Sequence, residues 1–231
     1  MAFSINENEQ FPFVLVANRD EFRDRPSAQA HFWKDRPDII GGIDLKMKGT
    51  WLGMTRSGKI AFLTNFRNLT RMDNDAPSRG HLVSNFLLSE LTEQEYIDTI
   101  AFPERYNGFN LMVGDIRKLS WFSNVGDKHR TLSYGTHALS NAHLNTPWPK
   151  VEYLKKEMQD YLKSSNCEPG GLFNILACTT KAQDDKLPDT GIGIEWERLL
   201  SPAFINSESY GTVCSTVIMV DRSGNIHFEE H

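Results

Sequence analysis

The apolar residues of this chain fall in short runs whose spacing changes in blocks, from strand-like to helical and back, ending strand-like. Segregated blocks of that kind favour α+β layers over a parallel sheet built from alternating strands and helices. Phe11 to Asn18, rich in Val and Phe, reads as a strand that runs straight into Asn18-Arg19-Asp20-Glu21, and Arg25-Pro26 then ends extended structure. Ile39 to Asp44 and Thr50 to Thr55 read as two more strands, and Arg56-Ser57-Gly58-Lys59 turns the second into a hairpin with Ile60 to Asn65. Leu82, Val83, Phe86, Leu87 and Leu91 follow the spacing of an amphipathic helix with Ser78 as its N-cap. Thr92 caps a second helical piece beginning Glu93-Gln94-Glu95, which Pro103 closes.

The second half repeats the pattern. Strands are predicted at Gly108 to Gly114, Lys118 to Ser123 and Thr136 to Asn141. Pro147 opens a helix through Val151, Leu154, Met158 and Leu162, and Leu172 to Ala177 reads as a shorter one. Thr179 to Gly193 is polar and loop-like, and Thr212 to Val220 forms a last hairpin with Asn225 to Glu229 across Asp221-Arg222-Ser223-Gly224. With no linker-like stretch and no internal repeat, the expectation is one domain over residues 1–231.

Composition narrows the function. Hydrophobic residues make up 39% and aromatic residues 11%, enough for a substantial core. A net charge of −5 offers no global attraction for polyanions, so nucleic acid is not an expected partner. The segment Met1 to Gln10 lacks the features of a secretory or transit signal. The longest apolar runs, Phe13 to Ala17 and Val217 to Val220, fall far short of the ~20 residues of a membrane span. A cytoplasmic protein is expected. The 3 cysteines, Cys167, Cys178 and Cys214, show no CxxC spacing, and the 7 histidines show no HxxxH or HExxH spacing, so no metal site is expected. His137 and His143 flank Asn141 and read as ordinary structural histidines. Trp51, Trp121, Trp148 and Phe109 read as core.

Several blocks carry a resemblance. Asn18-Arg19-Asp20-Glu21-Phe22 is followed by Gly49-Thr50-Trp51-Leu52-Gly53, Leu63-Thr64-Asn65-Phe66-Arg67, Arg79-Gly80-His81-Leu82-Val83 and Tyr106-Asn107-Gly108-Phe109-Asn110-Leu111. Leu139-Ser140-Asn141-Ala142 with Thr146-Pro147-Trp148, and then Tyr210-Gly211-Thr212, complete the series. In these blocks and their order the chain resembles the NRDE family, the transport-and-Golgi-organisation-2 proteins. The resemblance implies a four-layer α-β-β-α sandwich of the N-terminal-nucleophile hydrolase type, with antiparallel sheets. In that superfamily a terminal Cys, Ser or Thr attacks a carbonyl and its own α-amine serves as base.

The resemblance also implies a site. Arg19 and Asp20 would lie at a pocket floor, the Arg meeting an anionic ligand and the Asp orienting a terminal amine, with Asn18 and Glu21 in the same ligand-binding run. Asn141, with Asn65 or Asn68, would donate toward an oxyanion. The competing reading makes Arg19, Asp20 and Glu21 a structural ion network and Asn141 a turn cap. Laid on this sequence, the family's Cys would fall just before Met1; Ala2 carries no nucleophile and Ser4 lies within the chain. Many relatives continue Tyr-Gly-Thr with Arg, where this chain has Val213.

The expected function is therefore non-enzymatic binding and trafficking of a hydrophobic small molecule, haem or an acyl lipid, in line with the family's association with Golgi organisation and secretion, lipid homeostasis and haem transport. Haem enters as cargo, secretory-pathway or haem-handling proteins as partners, and the Golgi or mitochondria as destinations. The alternatives are an N-terminal cysteine amidohydrolase whose Cys lies upstream of Met1, and a secretory-pathway scaffold that would expose an apolar patch.

Overall fold

A computed structural model of the protein describes every residue except 69–71, 101, 127 and 165. The chain forms two compact units, one of residues 1–25, 134–140 and 144–231, the other of residues 26–133 and 141–143.

The first unit holds a five-stranded antiparallel sheet. Its strands are β1 (Ala2–Ile5), β2 (Phe13–Phe22), β10 (Gly135–Ala138), β11 (Tyr210–Val220) and β12 (Ile226–Glu230), in the order β10-β1-β2-β11-β12. On one face Ala2, Val14, Val16, Ala138, Val217 and Met219 meet two helices, α3 (Pro149–Leu162) and α4 (Pro169–Leu176). Val151, Leu154, Met158 and Leu162 recur every third or fourth residue, so α3 lays one stripe on the sheet. Phe3, Ile5, Phe13 and Leu15, on the opposite face by strand alternation, have no exposed surface either. Burial on both faces is why Phe13-Val14-Leu15-Val16-Ala17 reads as an unbroken apolar run.

The second unit holds a seven-stranded antiparallel sheet in sequence order. Its strands are β3 (Ser27–Trp33), β4 (Arg36–Asp44), β5 (Leu52–Thr55), β6 (Lys59–Asn65), β7 (Phe109–Asp115), β8 (Lys118–Ser123) and β9 (Lys128–Leu132). Helices α1 (Gly80–Leu88) and α2 (Glu93–Asp98) cover it, with Val83, Phe86, Leu87 and Tyr96 packed on Ala61, Leu111, Val113 and Phe122.

Local chemistry explains the turns and caps. Gly58 and Gly224 both take positive φ in the two predicted hairpin turns, a region where a Cβ is strained. Thr92 caps α2 through a complete capping box: its hydroxyl accepts from the Glu95 N–H, and the Glu95 carboxylate accepts from the Thr92 N–H at 2.9 Å.

Other expectations need correction. Helix α1 is capped at Arg79 rather than Ser78, with no side-chain cap hydrogen bond. Helix α3 opens at Pro149, not Pro147, with Trp148 at the N-cap. Either proline suits a first turn, and Val151 donates its N–H to the Trp148 carbonyl. The strand predicted to Asn141 ends at Ala138, where β1 begins and pairing stops. Strands β1, β3 and β9 and helix α5 (Ile194–Leu199) are absent from the sequence expectation; β9 is an edge strand of mostly polar, exposed residues, whereas the edge strand β3 does alternate polar and apolar residues from Ser27 to Phe32.

Among the described residues one buried side-chain polar atom is unpartnered. The Ser4 hydroxyl, on β1, receives no hydrogen bond from any described residue. Ser4→Ala is expected to leave urea-denaturation stability unchanged or raise it by up to about 1 kcal/mol, because no hydrogen bond is lost and a desolvated hydroxyl is removed. A loss of more than about 1 kcal/mol would instead reveal a bound internal water at that hydroxyl.

Candidate functional site

Strand β2 outruns β1. It continues from Asn18 to Phe22 paired with β11, and the cross-strand partners are Ser215 for Asn18, Cys214 for Arg19, Thr212 for Asp20 and Tyr210 for Phe22. Successive residues of a strand point to opposite faces. The Asn-Arg-Asp-Glu run is therefore divided: Asn18, Asp20 and Phe22 share one face of this ribbon, and Arg19 and Glu21 share the other.

The first face is graded from structural to open. At its base Asn18 donates from Nδ2 to the carbonyls of Leu176 (3.0 Å) and Ala203 (2.7 Å) and accepts the Ser215 hydroxyl at 2.7 Å. In the middle the Thr212 hydroxyl donates to Asp20 Oδ1 at 2.7 Å and accepts the Ile205 N–H at 3.0 Å. No described residue donates to Asp20 Oδ2. The Tyr210 hydroxyl donates to the Asp20 carbonyl at 3.3 Å.

The tip is aromatic. Phe22 and Tyr210 meet edge to face at 5.2 Å, and Trp196 of α5 meets Tyr210 at 6.3 Å. Phe22 is 51% exposed, Trp196 43% and Ile194 46%. Gly211 lies so close to the Ile205 carbonyl that a Cβ there would stand 2.6 Å from its oxygen, which is why the Tyr-Gly-Thr block needs its glycine. The register then slips between Thr212 and Cys214, leaving the exposed Val213 at the irregularity.

On the other face Arg19 reaches Glu21 at 3.7 Å, and Arg25 reaches the same carboxylate at 3.5 Å. Burial, and after it the Glu230 carboxylate, push the Cys214 thiol up to about 12, so it is protonated at neutral pH. Near the first strand, the Met1 nitrogen donates to the Leu139 carbonyl at 3.2 Å. Burial, then the Lys150 ammonium, pull that amine from 8.0 down to about 5, and the Asp20 carboxylate acts in the opposite direction.

In the second unit Asn141 and Asn65 are neighbours. Asn141 Nδ2 donates to the Asn65 carbonyl at 3.0 Å, and the Asn141 carbonyl accepts the Arg67 N–H at 2.8 Å. Asn68 lies half-buried beyond the end of β6. His143 Nε2 donates to the Val125 carbonyl at 2.9 Å, and the ring packs edge-on against Phe66 and Trp121. In the first unit both ring nitrogens of His137 are engaged, Nδ1 accepting from Asn145 at 3.1 Å and Nε2 donating to the Tyr134 carbonyl at 3.0 Å. Among the described residues no group of three His, Cys, Asp or Glu side chains is arranged to hold a metal ion. No helix among them is long and apolar enough to cross a membrane.

Trp196, Ile194 and Lys150 had no signal in the sequence reading. Trp196 belongs to a six-residue helix outside any apolar repeat, and its ring contact with Tyr210 ties it to the motif residues.

Two antiparallel sheets bearing helices define the class. The fold is that of the N-terminal-nucleophile hydrolases: the structure of a Caenorhabditis elegans N-acylethanolamine-hydrolyzing acid amidase ortholog matches with a TM-score of 0.54 at 10% identity, over 94% of this chain and 91% of that one. The family is narrower. The Transport and Golgi organisation 2 family model matches residues 1–231, and the chain belongs to that family. It is 33% identical to the Transport and Golgi organization 2 homologs of Mus musculus and Homo sapiens, over 95% of this chain and 86% of each relative. Identity to the Drosophila melanogaster Transport and Golgi organization protein 2 is 25%, over 99% of this chain and 89% of that one.

Proposed function

We propose that the chain binds an amphipathic acyl lipid non-enzymatically and carries it in the cytoplasm, in the service of Golgi organisation and secretion. One observation carries this reading: the Phe22–Tyr210–Trp196 cluster, with Phe22 and Trp196 exposed, adjoins Asp20, whose main-chain carbonyl accepts the Tyr210 hydroxyl and whose carboxylate accepts the hydroxyl of Thr212, two residues along the same strand. An aromatic surface ending on a charge suits a ligand with an apolar chain and a polar head. An acyl amide has that form, with an N–H that Asp20 Oδ2 can accept. The structural neighbour is described as hydrolysing N-acylethanolamines, which are ligands of this chemistry.

Haem is the less favoured cargo. His137 would have to give up the hydrogen bond at whichever ring nitrogen ligated iron, and an acyl chain needs no ligating side chain. The test is titration with a fluorescent N-acylethanolamine and, separately, with haem. Saturable acyl binding that weakens about tenfold in Asp20→Asn, the loss of one hydrogen bond to a charged group, supports the reading. A saturable haem spectrum with no acyl binding overturns it.

A second reading is an amidohydrolase. It is favoured by the Asp20 charge acting on the nitrogen at the start of β1, where a Cys ahead of Met1 would be anchored. A chain extended upstream to that Cys and still inert toward acyl amides would remove it.

A further inference from the structure

Among the described residues a single side chain holds the Asp20 carboxylate, and it belongs to the Tyr210-Gly211-Thr212 block. The Thr212 hydroxyl gives its proton to Asp20 Oδ1 at 2.7 Å while its lone pair takes the Ile205 N–H at 3.0 Å. The hydroxyl hydrogen can therefore point only one way, and the Ile205 peptide sets it. The backbone repeats the tie, with the Thr212 N–H donating to the Ile205 carbonyl at 2.8 Å. Thr212 is 6% exposed, so water does not compete well for its hydroxyl. The Asp20 carboxylate is thus held at Oδ1 by a hydroxyl of fixed polarity, while no described residue donates to Oδ2.

We infer that Thr212 is a positioning residue: it orients the Asp20 carboxylate so that Oδ2 is presented to the ligand's polar head. This explains the block residue by residue. Gly211 admits the Ile205 carbonyl, Thr212 sets the carboxylate, and the Tyr210 hydroxyl holds the Asp20 carbonyl. The inference rests on the reading that Asp20 meets the ligand.

The experiment compares Thr212→Val, Thr212→Ser, Asp20→Asn and Thr212→Val/Asp20→Asn in the full chain, with a fluorescent N-acylethanolamine as probe and thermal unfolding as the fold control. Valine keeps the shape and the backbone hydrogen bond but not the relay. Thr212→Val is expected to bind about tenfold more weakly, Thr212→Ser to bind within about twofold of the parent, and the double variant to be no weaker than Asp20→Asn alone. Additive losses, or Thr212→Val binding like the parent while Asp20→Asn is impaired, overturn the positioning role. Parent-like binding by Asp20→Asn overturns the ligand reading itself. If Thr212→Val does not fold, Thr212→Ser and Thr212→Cys decide: only the strong hydroxyl donor is expected to retain affinity, and equal binding by both overturns the inference.

Discussion

Asn18→Ala is expected to destabilise the protein by about 3 kcal/mol, the largest loss of any motif residue. The side chain satisfies three groups at once: the carbonyl of Leu176 at the end of α4, the carbonyl of Ala203 in the segment after α5, and the hydroxyl of Ser215 on the neighbouring strand. Alanine leaves all three without their partner, and each unmade buried hydrogen bond costs about 1–3 kcal/mol before local relaxation. Asn18→Asp is expected to fare no better, since a carboxylate brings oxygen toward two carbonyl oxygens. Urea denaturation of both variants measures this. A loss under about 1 kcal/mol would show that solvent reaches these carbonyls and that Asn18 is not the staple described. The first residue of the motif is on this account structural, and loss of ligand binding in Asn18 variants is expected to follow loss of fold.

Gly49→Ala is expected to cost about 3 kcal/mol by a different route. A Cβ on Gly49 would lie 2.6 Å from the Gly80 carbonyl carbon, 2.9 Å from its Cα and 2.9 Å from the His81 nitrogen. All three are backbone atoms at the start of α1, so no rotamer change can relieve the overlap. The helix has to withdraw from the loop, straining the Thr50 N–H to Gly80 carbonyl hydrogen bond of 3.3 Å, and overpacking of this kind costs about 1–3 kcal/mol or more. The two sequence blocks beginning Gly49 and Arg79 therefore belong together because their backbones touch. Gly170→Ala is the control: nothing lies within 4 Å of its added Cβ, and α4 should gain up to about 1 kcal/mol from the better helix former. Thermal unfolding of the pair separates the two mechanisms. Equal stability of Gly49→Ala and the parent would mean the helix can shift freely.

Most of the regular structure was readable because it follows from local chemistry. The Thr92 capping box, the Gly58 and Gly224 turns and the helical spacing from Val151 to Leu162 each depend on neighbours a few residues away, and each lies where its pattern placed it. Strand β1 was not readable. Its four residues are wholly buried and show no alternation, and only pairing with β2 and β10 on either side makes them a strand. Strand β9 was unreadable for the opposite reason, being an edge strand of polar, exposed side chains, while β3, also at an edge, carries a strand-like alternation from Ser27 to Phe32 that the expectation passes over.

The candidate site shows the same division. The blocks marked Asn18 to Glu21 and Tyr210 to Thr212, 190 residues apart in the case of Tyr210 and Asp20, and those blocks do meet as neighbouring strands. Which residue does what was not in the pattern. The resemblance puts both Arg19 and Asp20 at a pocket floor, but β2 continues through the run as a strand, and strand geometry sends the two side chains to opposite faces. Asn65 and Asn141 were singled out for donors aimed at an oxyanion, and the tertiary structure gives Asn141 the Asn65 carbonyl as its acceptor.

By itself, then, the amino-acid sequence determined the class of layers, the two hairpin turns, the Thr92 cap and the family, since these depend on short-range spacing and on residue types in order. The tertiary structure alone decided that Asn18 is a staple, that Thr212 holds Asp20, and that Phe22, Tyr210 and Trp196 form one exposed aromatic surface. Those facts depend on which strand lies beside which and on the face each side chain takes, and hydrogen bonds between residues far apart in the chain exist only once that pairing is made.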